Sequence, residues 1–277
     1  MKFAFSTLGC PSWAWEEVLA AATDLGYDGV EIRGVGKELY APQSPFFQAE
    51  NLEKTKATIR SLNLEIPCLT TACYLYDREN SKAHYQAGCE YIDLAQKLNV
   101  PYIRVLGDLN PQPELDIDIS LVADNLLALA DYAKGKNVTV LLESNGVFAD
   151  SHLLAELMEL LARPEIGVLW DVHHPFRYCL ERIEETYANL KPYLRHIHMK
   201  DSVMNANGQV EYRMMGGGDI PNRTILNMLL KEDYDGYVSF EWTKRWNKNL
   251  LEPGIVFPQF INYVRTIADK NCEVKPC

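Results

Sequence analysis

A short apolar run followed by a longer amphipathic one recurs eight times along this chain, and that alternation limits the fold more than any other feature. The units begin with KFAFST and WEEVLAAATDLG, whose apolar residues recur at helical spacing and whose Gly26 suits a helix stop. GVEIR precedes NLEKTKATIRSLN, IPCLTTA precedes KAHYQAGCEYIDLAQKLN, and YIRVLG precedes the segment around LVADNLLALADYAKGKN. The second half continues with VTVLLES and SHLLAELMELLA, IGVLWDV and RIEETYANLKPY, LRHIHMKD and NRTILNMLLKE, and GYVSFEW with IVFPQFINYVRTIA. Strands joined by helices run parallel and form an open doubly wound sheet or a closed barrel. Eight consecutive units without a break in composition favour closure. The expectation is an α/β fold, a (β/α)8 TIM barrel, occupying residues 1–277 as a single domain, a common length for such a barrel.

The interruptions fall after strand ends: GVGKELYAPQSPFF after the second strand, GDLNPQPELD after the fourth, VMNANGQVEYRMMGGGDIP after the seventh. Loops on that rim are where barrels of this type build their sites. Net charge is −11, so clustered phosphate contact is disfavoured and a small-molecule partner is expected rather than nucleic acid. Neither GVGKE nor GGGD has the spacing of a nucleotide-binding glycine loop. No stretch is long and apolar enough for a membrane span and no export signal is evident. The seven cysteines are scattered without CxxC spacing, so a reducing cytoplasmic setting is expected and the thiols read as buried hydrophobes.

Side chains alternate faces along a strand, so the inward set is read in steps of two. VTVLLE points Thr139, Leu141 and Glu143 inward, IGVLWD points Gly167, Leu169 and Asp171, and GYVSFE points Tyr237, Ser239 and Glu241. LRHIHM adds Leu194, His196 and His198, with His198 at the rim and His196 one layer deeper. Three carboxylates gathered in a partly dry mouth repel one another and lose hydration, so they need protons or a cation. A divalent metal held by Glu143, Asp171, His198 and Glu241 meets that need. A single acid at a strand end is ordinarily a loop-facing residue or a helix cap; four from separate strands are harder to dismiss. His196 is open between a partner that orients a ligand and a satisfied core histidine.

The order Glu143, WDVHH with Asp171 and His174, HIHMKD with His198, GGGDIP at Gly216 to Pro221, and SFEW with Glu241 resembles the sugar phosphate isomerase/epimerase superfamily of xylose isomerase-like barrels, over essentially the whole chain. The resemblance implies one divalent metal on the matching Glu, Asp, His and Glu, and substrate contact by His174. Three oxygen ligands and one imidazole suit manganese first, with magnesium, cobalt or zinc open. In ketose 3-epimerases of the superfamily the two metal-binding glutamates also serve as base and acid, here Glu143 and Glu241. Those epimerases carry a further glutamate shortly after the first, where ESNGVFADS offers Ala149. That departure leaves isomerases and dehydratases of the inosose or dehydroshikimate type open.

Further expected substrate contacts are Lys200, which shares the face of His198, and Arg213, through a superfamily counterpart. Glu31 and Arg33 share the inward face of GVEIR, as substrate contacts or as an ion pair. Trp15, with Trp13, is a sugar-stacking wall or simple helix packing. Four readings result. A metal-dependent sugar isomerase or epimerase working through an enediolate on a small keto sugar, polyol or sugar derivative leads, and a dehydratase comes second. A non-catalytic sugar-binding barrel and an abasic-site nuclease follow; the nuclease is disfavoured because EIRG, TTAC and VLGD lack its extra histidines. A homo-oligomer is expected from the superfamily.

Overall fold

A computed structural model describes residues 1–113 and 116–272, with side chains through residue 269. Cys277 and the Glu114–Leu115 pair of the loop after the fourth strand lie outside the described residues, and Cys272 is described by its backbone alone.

Eight strands form one sheet: β1 (Lys2–Ser6), β2 (Gly29–Glu31), β3 (Leu69–Tyr74), β4 (Tyr102–Leu106), β5 (Thr139–Glu143), β6 (Ile166–Asp171), β7 (Leu194–Met199) and β10 (Tyr237–Phe240). Their order is β2-β1-β10-β7-β6-β5-β4-β3, every neighbouring pair parallel. The ends of that order meet. Gly29 bridges Glu65 and Ile32 bridges Leu69 in parallel. The Val30 amide donates to the Glu65 carbonyl at 2.9 Å and the Thr70 amide to that of Ile32 at 2.9 Å. The seam is tight at Gly29, where a Cβ would sit 2.6 Å from the Glu65 carbonyl oxygen.

Each strand is followed by a helix that buries one stripe on the sheet: α1 (Trp15–Leu25), α2 (Ala49–Ser61), α3 (Ser81–Leu98), α4 (Ile119–Ala133), α5 (Ser151–Leu161), α7 (Ile183–Leu190), α8 (Asn222–Lys231) and α9 (Pro253–Cys272). Local chemistry sets their ends. Gly26, at φ +74°, closes α1 by donating its amide to Ala22 and Thr23, and the Asp150 carboxylate accepts the amides of His152 and Leu153 to start α5. The expected barrel is therefore present, in a single domain. The core between sheet and helices holds Phe5, Trp170, Ile197, Phe240, Phe257 and Phe260, all almost fully buried.

Two elements were not expected from the sequence. His173–Tyr178 forms a short helix, α6, directly after β6. The long segment after β7 folds into an antiparallel hairpin of β8 (Asp201–Met204) and β9 (Val210–Arg213), turning through Asn205–Gly208 with Gly208 at φ +73°. No helix among the described residues is long and apolar enough to cross a membrane.

Candidate metal centre at the barrel mouth

The strand register delivers the four expected ligands to one place. Asp171 and His198 are partners across β6 and β7, Ser239 is the partner of His198 across β10, and the Glu241 amide donates to the Met199 carbonyl at 3.0 Å. Glu143 ends β5, and the next residue, Ser144, accepts the Asp171 amide on its hydroxyl at 2.9 Å. One nitrogen or oxygen from each of Glu143, Asp171, His198 and Glu241 lies within 4.8 Å of the others, and all four residues are buried. Glu143 and Glu241 open onto a cavity of about 310 Å³ whose wall also includes Arg33, Arg104, His174, Lys200, Tyr212 and Trp246.

Three carboxylates at such separation need positive charge, and the chain supplies two cations of its own. Arg104 Nε stands 2.9 Å from Glu143 Oε2. Lys200 Nζ, itself buried, lies 2.5 Å from Asp171 Oδ2 and also bonds Glu241 Oε2. Burial would raise Glu241, but Lys200 and then His198 outweigh it and hold its carboxyl down at about 2. Glu143 goes the other way: burial pushes it up to about 7 even with Arg104 beside it, and Glu241 adds to the rise. The two glutamates thus differ sharply in proton affinity, which suits them to opposite proton-transfer roles.

His198 is oriented from behind. Its Nε2 lies 2.8 Å from Glu31 Oε2, leaving Nδ1 turned to the cluster at 3.5 Å from Glu241 Oε1 and 3.9 Å from Glu143 Oε1. That Nδ1 is buried and has no hydrogen-bond partner. Burial alone would lower the imidazole, but Glu31, Glu241 and Glu143 together raise it to about 9. A buried nitrogen facing carboxylates at these distances, with the opposite ring nitrogen fixed by an acid, is the arrangement of a metal-binding histidine. The donor set therefore fits a divalent ion.

His174, at the start of α6, donates Nδ1–H to the Ser144 carbonyl at 3.1 Å and holds Nε2 3.7 Å from Asp171 Oδ2. Burial, followed by Lys200, keeps it well below the usual histidine range, so it is neutral at the cavity wall. The rim behind it is braced. His173 Nε2 contacts Ser202 Oγ at 2.8 Å, Arg177 donates to the Ser202 carbonyl at 3.0 Å, and Asp201 accepts the amides of Gly216 and Gly218 at 2.8 and 3.1 Å.

Several expected contacts stand elsewhere. Glu31 does not face the cavity: fully buried, its Oε2 takes both His198 Nε2 and His196 Nε2 at 2.8 Å, so it joins the two histidines rather than Arg33. His196 remains in the deeper layer, its Nε2 also 3.0 Å from Ser239 Oγ. Arg213 points away from the cavity and pairs with Glu211 at 2.5 Å on the exposed hairpin; the cavity residue there is its neighbour Tyr212. Trp15 is 4% exposed and packs on Phe46 and Phe47, each 5.8 Å away, while Trp13 meets Phe257 edge-on. The loop after β2 thus absorbs Trp15 into the core, and neither tryptophan lines the cavity. Lys200 both lines the cavity and pairs with acids.

Arg104 was not anticipated as a site residue. Stepping by two along YIRVL groups it with Tyr102 and Leu106, and a charge on the inward side of an apolar strand was the available signal.

A family model described as xylose isomerase-like TIM barrel matches residues 19–257. Fructoselysine 3-epimerase of Shigella flexneri is 24% identical over 257 residues, 87% of this chain and 90% of that protein. The probable 3-DHS dehydratase AsbF of Bacillus anthracis superposes with a TM-score of 0.78 at 16% identity, covering 96% of this chain and 99% of that one. A xylose isomerase-like TIM barrel protein of Mycobacterium smegmatis, solved in complex with magnesium, gives 0.73 at 15% identity and 97% of each chain. The match to the family model spans most of the barrel and includes every residue of the acid–histidine cluster, so the chain belongs to the xylose isomerase-like TIM barrel family.

Proposed function

We propose that the protein is a divalent-metal-dependent isomerase or epimerase that acts on a small keto sugar or sugar derivative through an enediolate. One observation carries this reading: Glu143, Asp171, His198 and Glu241 meet around a common point, with the unpartnered His198 Nδ1 aimed at it. These four residues would hold the metal, manganese first and magnesium, cobalt or zinc as alternatives, and the metal would supply Lewis-acid stabilisation of negative charge on substrate oxygen. Glu143, with a proton affinity near neutrality, takes the proton from the carbon beside the substrate carbonyl. Glu241 stands on another strand of the same mouth, ionised at neutral pH, and returns a proton to the enediolate carbon after taking one up from solvent. Neutral His174 and the ammonium of Lys200 orient substrate hydroxyls. The buried free thiols of Cys10, Cys68, Cys73 and Cys89 accord with a reducing cytoplasm.

Ala149 favours a second reading. It is buried at the end of the Gly146–Ala149 turn, in the stretch where ketose 3-epimerases of the superfamily carry their further glutamate. A dehydratase needs the same enolate chemistry without proton return to the same carbon, and the similarity to a probable 3-DHS dehydratase fits it.

The test is a keto-sugar panel in D2O, with chelated protein reloaded with each metal in turn. Deuterium entering at a single substrate carbon, lost in Glu143→Gln, is the expected result. Loss of water from the product would assign the dehydratase. Binding without conversion in every metal form would leave a sugar-binding barrel and end the catalytic reading.

A further inference from the structure

The ion pairs at the barrel mouth leave one cation over. Of the cations lining the cavity, Arg104 is matched to Glu143 and Lys200 to Asp171 and Glu241. Arg33 has no carboxylate partner among the described residues, although it is only 7% exposed. Its backbone amide is pinned by Thr7 Oγ1 at 2.9 Å, and its Nη1 reaches the Leu39 carbonyl at a long 3.3 Å. The guanidinium lies 5.8 Å from the Trp246 ring, on the residue's cavity side. Arg104 and Arg245, both of its own sign, act on it, and the hydroxyls of Tyr91 and Tyr74 oppose them. Arg245 likewise has no acid partner among the described residues; its Nη2 donates to the Gly36 carbonyl at 2.7 Å.

A guanidinium taken this far from water and set among like charges loses hydration that only an anion restores. The three carboxylates of the metal centre do not provide it. Arg33 follows β2, and in the sheet order β2-β1-β10-β7-β6 the strand of Asp171 is four places round an eight-stranded barrel. Arg33 therefore stands across the barrel from the strand of Asp171 and lines the same cavity as Glu143 and Glu241.

We propose that Arg33 binds a carboxylate on the end of the substrate remote from the reacting carbons, so that the molecule turned over is an acidic keto sugar. A single unmatched guanidinium offers one positive charge and a flat edge that fits a carboxylate's two oxygens. A phosphate dianion would call for a second free cation on the cavity wall, where Arg104 and Lys200 are already held by acids; Arg245 is not among the wall residues and is tied to the Gly36 carbonyl. The proposal rests on the reading of this mouth as a sugar site.

The experiment uses the metal-loaded protein and three ligands alike from C1 to C5 and different at C6: D-fructose, D-fructuronate and D-fructose 6-phosphate. Dissociation constants are measured by calorimetry for the unaltered protein, Arg33→Met and Arg33→Lys, with metal stoichiometry as the control for an intact site. Fructuronate is expected to bind on the order of 10²-fold more tightly than fructose. That ratio should fall to near one in Arg33→Met and be partly restored in Arg33→Lys. Equal affinities for fructose and fructuronate in the unaltered protein, or a ratio that survives in Arg33→Met, would overturn the proposal. Preference for fructose 6-phosphate over fructuronate would also overturn it. Binding is the readout, so an Arg33-dependent preference without turnover supports the anion site while counting against the isomerase reading.

Discussion

Glu31 and His198, 167 residues apart in sequence, share a buried contact of 2.8 Å between Oε2 and Nε2. The contact fixes which imidazole nitrogen is left for the acid cluster, and the same carboxylate oxygen holds His196 at 2.8 Å. Burial would raise Glu31, but His198 and His196 keep it well below the usual range, so it is ionised and orients both rings. Glu31→Gln keeps every proposed ligand yet weakens that orientation. Metal affinity, measured by competition with a chromogenic chelator, should fall about 10- to 100-fold. Unchanged affinity would detach Glu31 from the metal centre.

Lys200 supplies the cation that Asp171 and Glu241 share when no metal is bound. Lys200→Met leaves two buried carboxylates facing each other. In chelator at pH 7.5 the variant should lose roughly 3–5 kcal/mol of unfolding free energy, the usual cost of breaking a buried charge pair from one side. Added metal should recover more stability in this variant than in the unaltered protein. Denaturant melts with and without metal check both statements.

Metal binding should release protons. In the metal-free protein Glu143 sits at about 7 and His198 at about 9, both above their ordinary values of 4.5 and 6.5. Groups raised in this way stabilise the metal-free fold at low pH. Glu143's share is lost as pH climbs from 4.5 through 7, and that of His198 as pH climbs from 6.5 through 9. Because the metal competes with both protons, its affinity should rise by roughly one log unit per pH unit between pH 7 and 9. The slope should steepen toward about two below pH 7 and level off above pH 9. Calorimetry in buffers of different ionisation enthalpy reads the released protons directly, and a flat profile from pH 6 to 9 would contradict these assignments.

Gly218 is held by contact rather than by backbone angle. A Cβ there would lie 2.1 Å from Asp201 Oδ1 and 2.4 Å from the Ser202 carbonyl oxygen. Gly218→Ala should displace the loop that Asp201 clamps and disturb Ser202, the partner of His173 and Arg177. A loss of about 2–4 kcal/mol is expected in thermal or denaturant unfolding, within the range of a substitution that breaks a buried polar network. A variant as stable as the unaltered protein would show that the loop yields freely.

The barrel and its acid–histidine cluster were readable because strand residues alternate with a period of two. Glu143, Asp171, His198 and Glu241 each end an apolar run, and the run itself fixes which face they occupy. The misplacements arise where that rule lacks a neighbouring strand to anchor it. Arg213 and Tyr212 sit side by side on β9, so one points in and the other out, and only the pairing with β8 decides which. Trp15 depends on Phe46 and Phe47 from the loop after β2, whose path no periodicity encodes. Glu31 has its partners on β7, and contacts across a barrel are invisible to local spacing. Arg104 needed only the same stepping applied to YIRVL.

The most direct test is anomalous diffraction at the manganese edge from crystals grown with manganese chloride. A single strong peak bounded by Glu143, Asp171, His198 Nδ1 and Glu241, each about 2.0–2.3 Å away, is the expected result. A peak elsewhere, or Lys200 still bridging Asp171 and Glu241 at saturating manganese with no peak between them, would contradict the account.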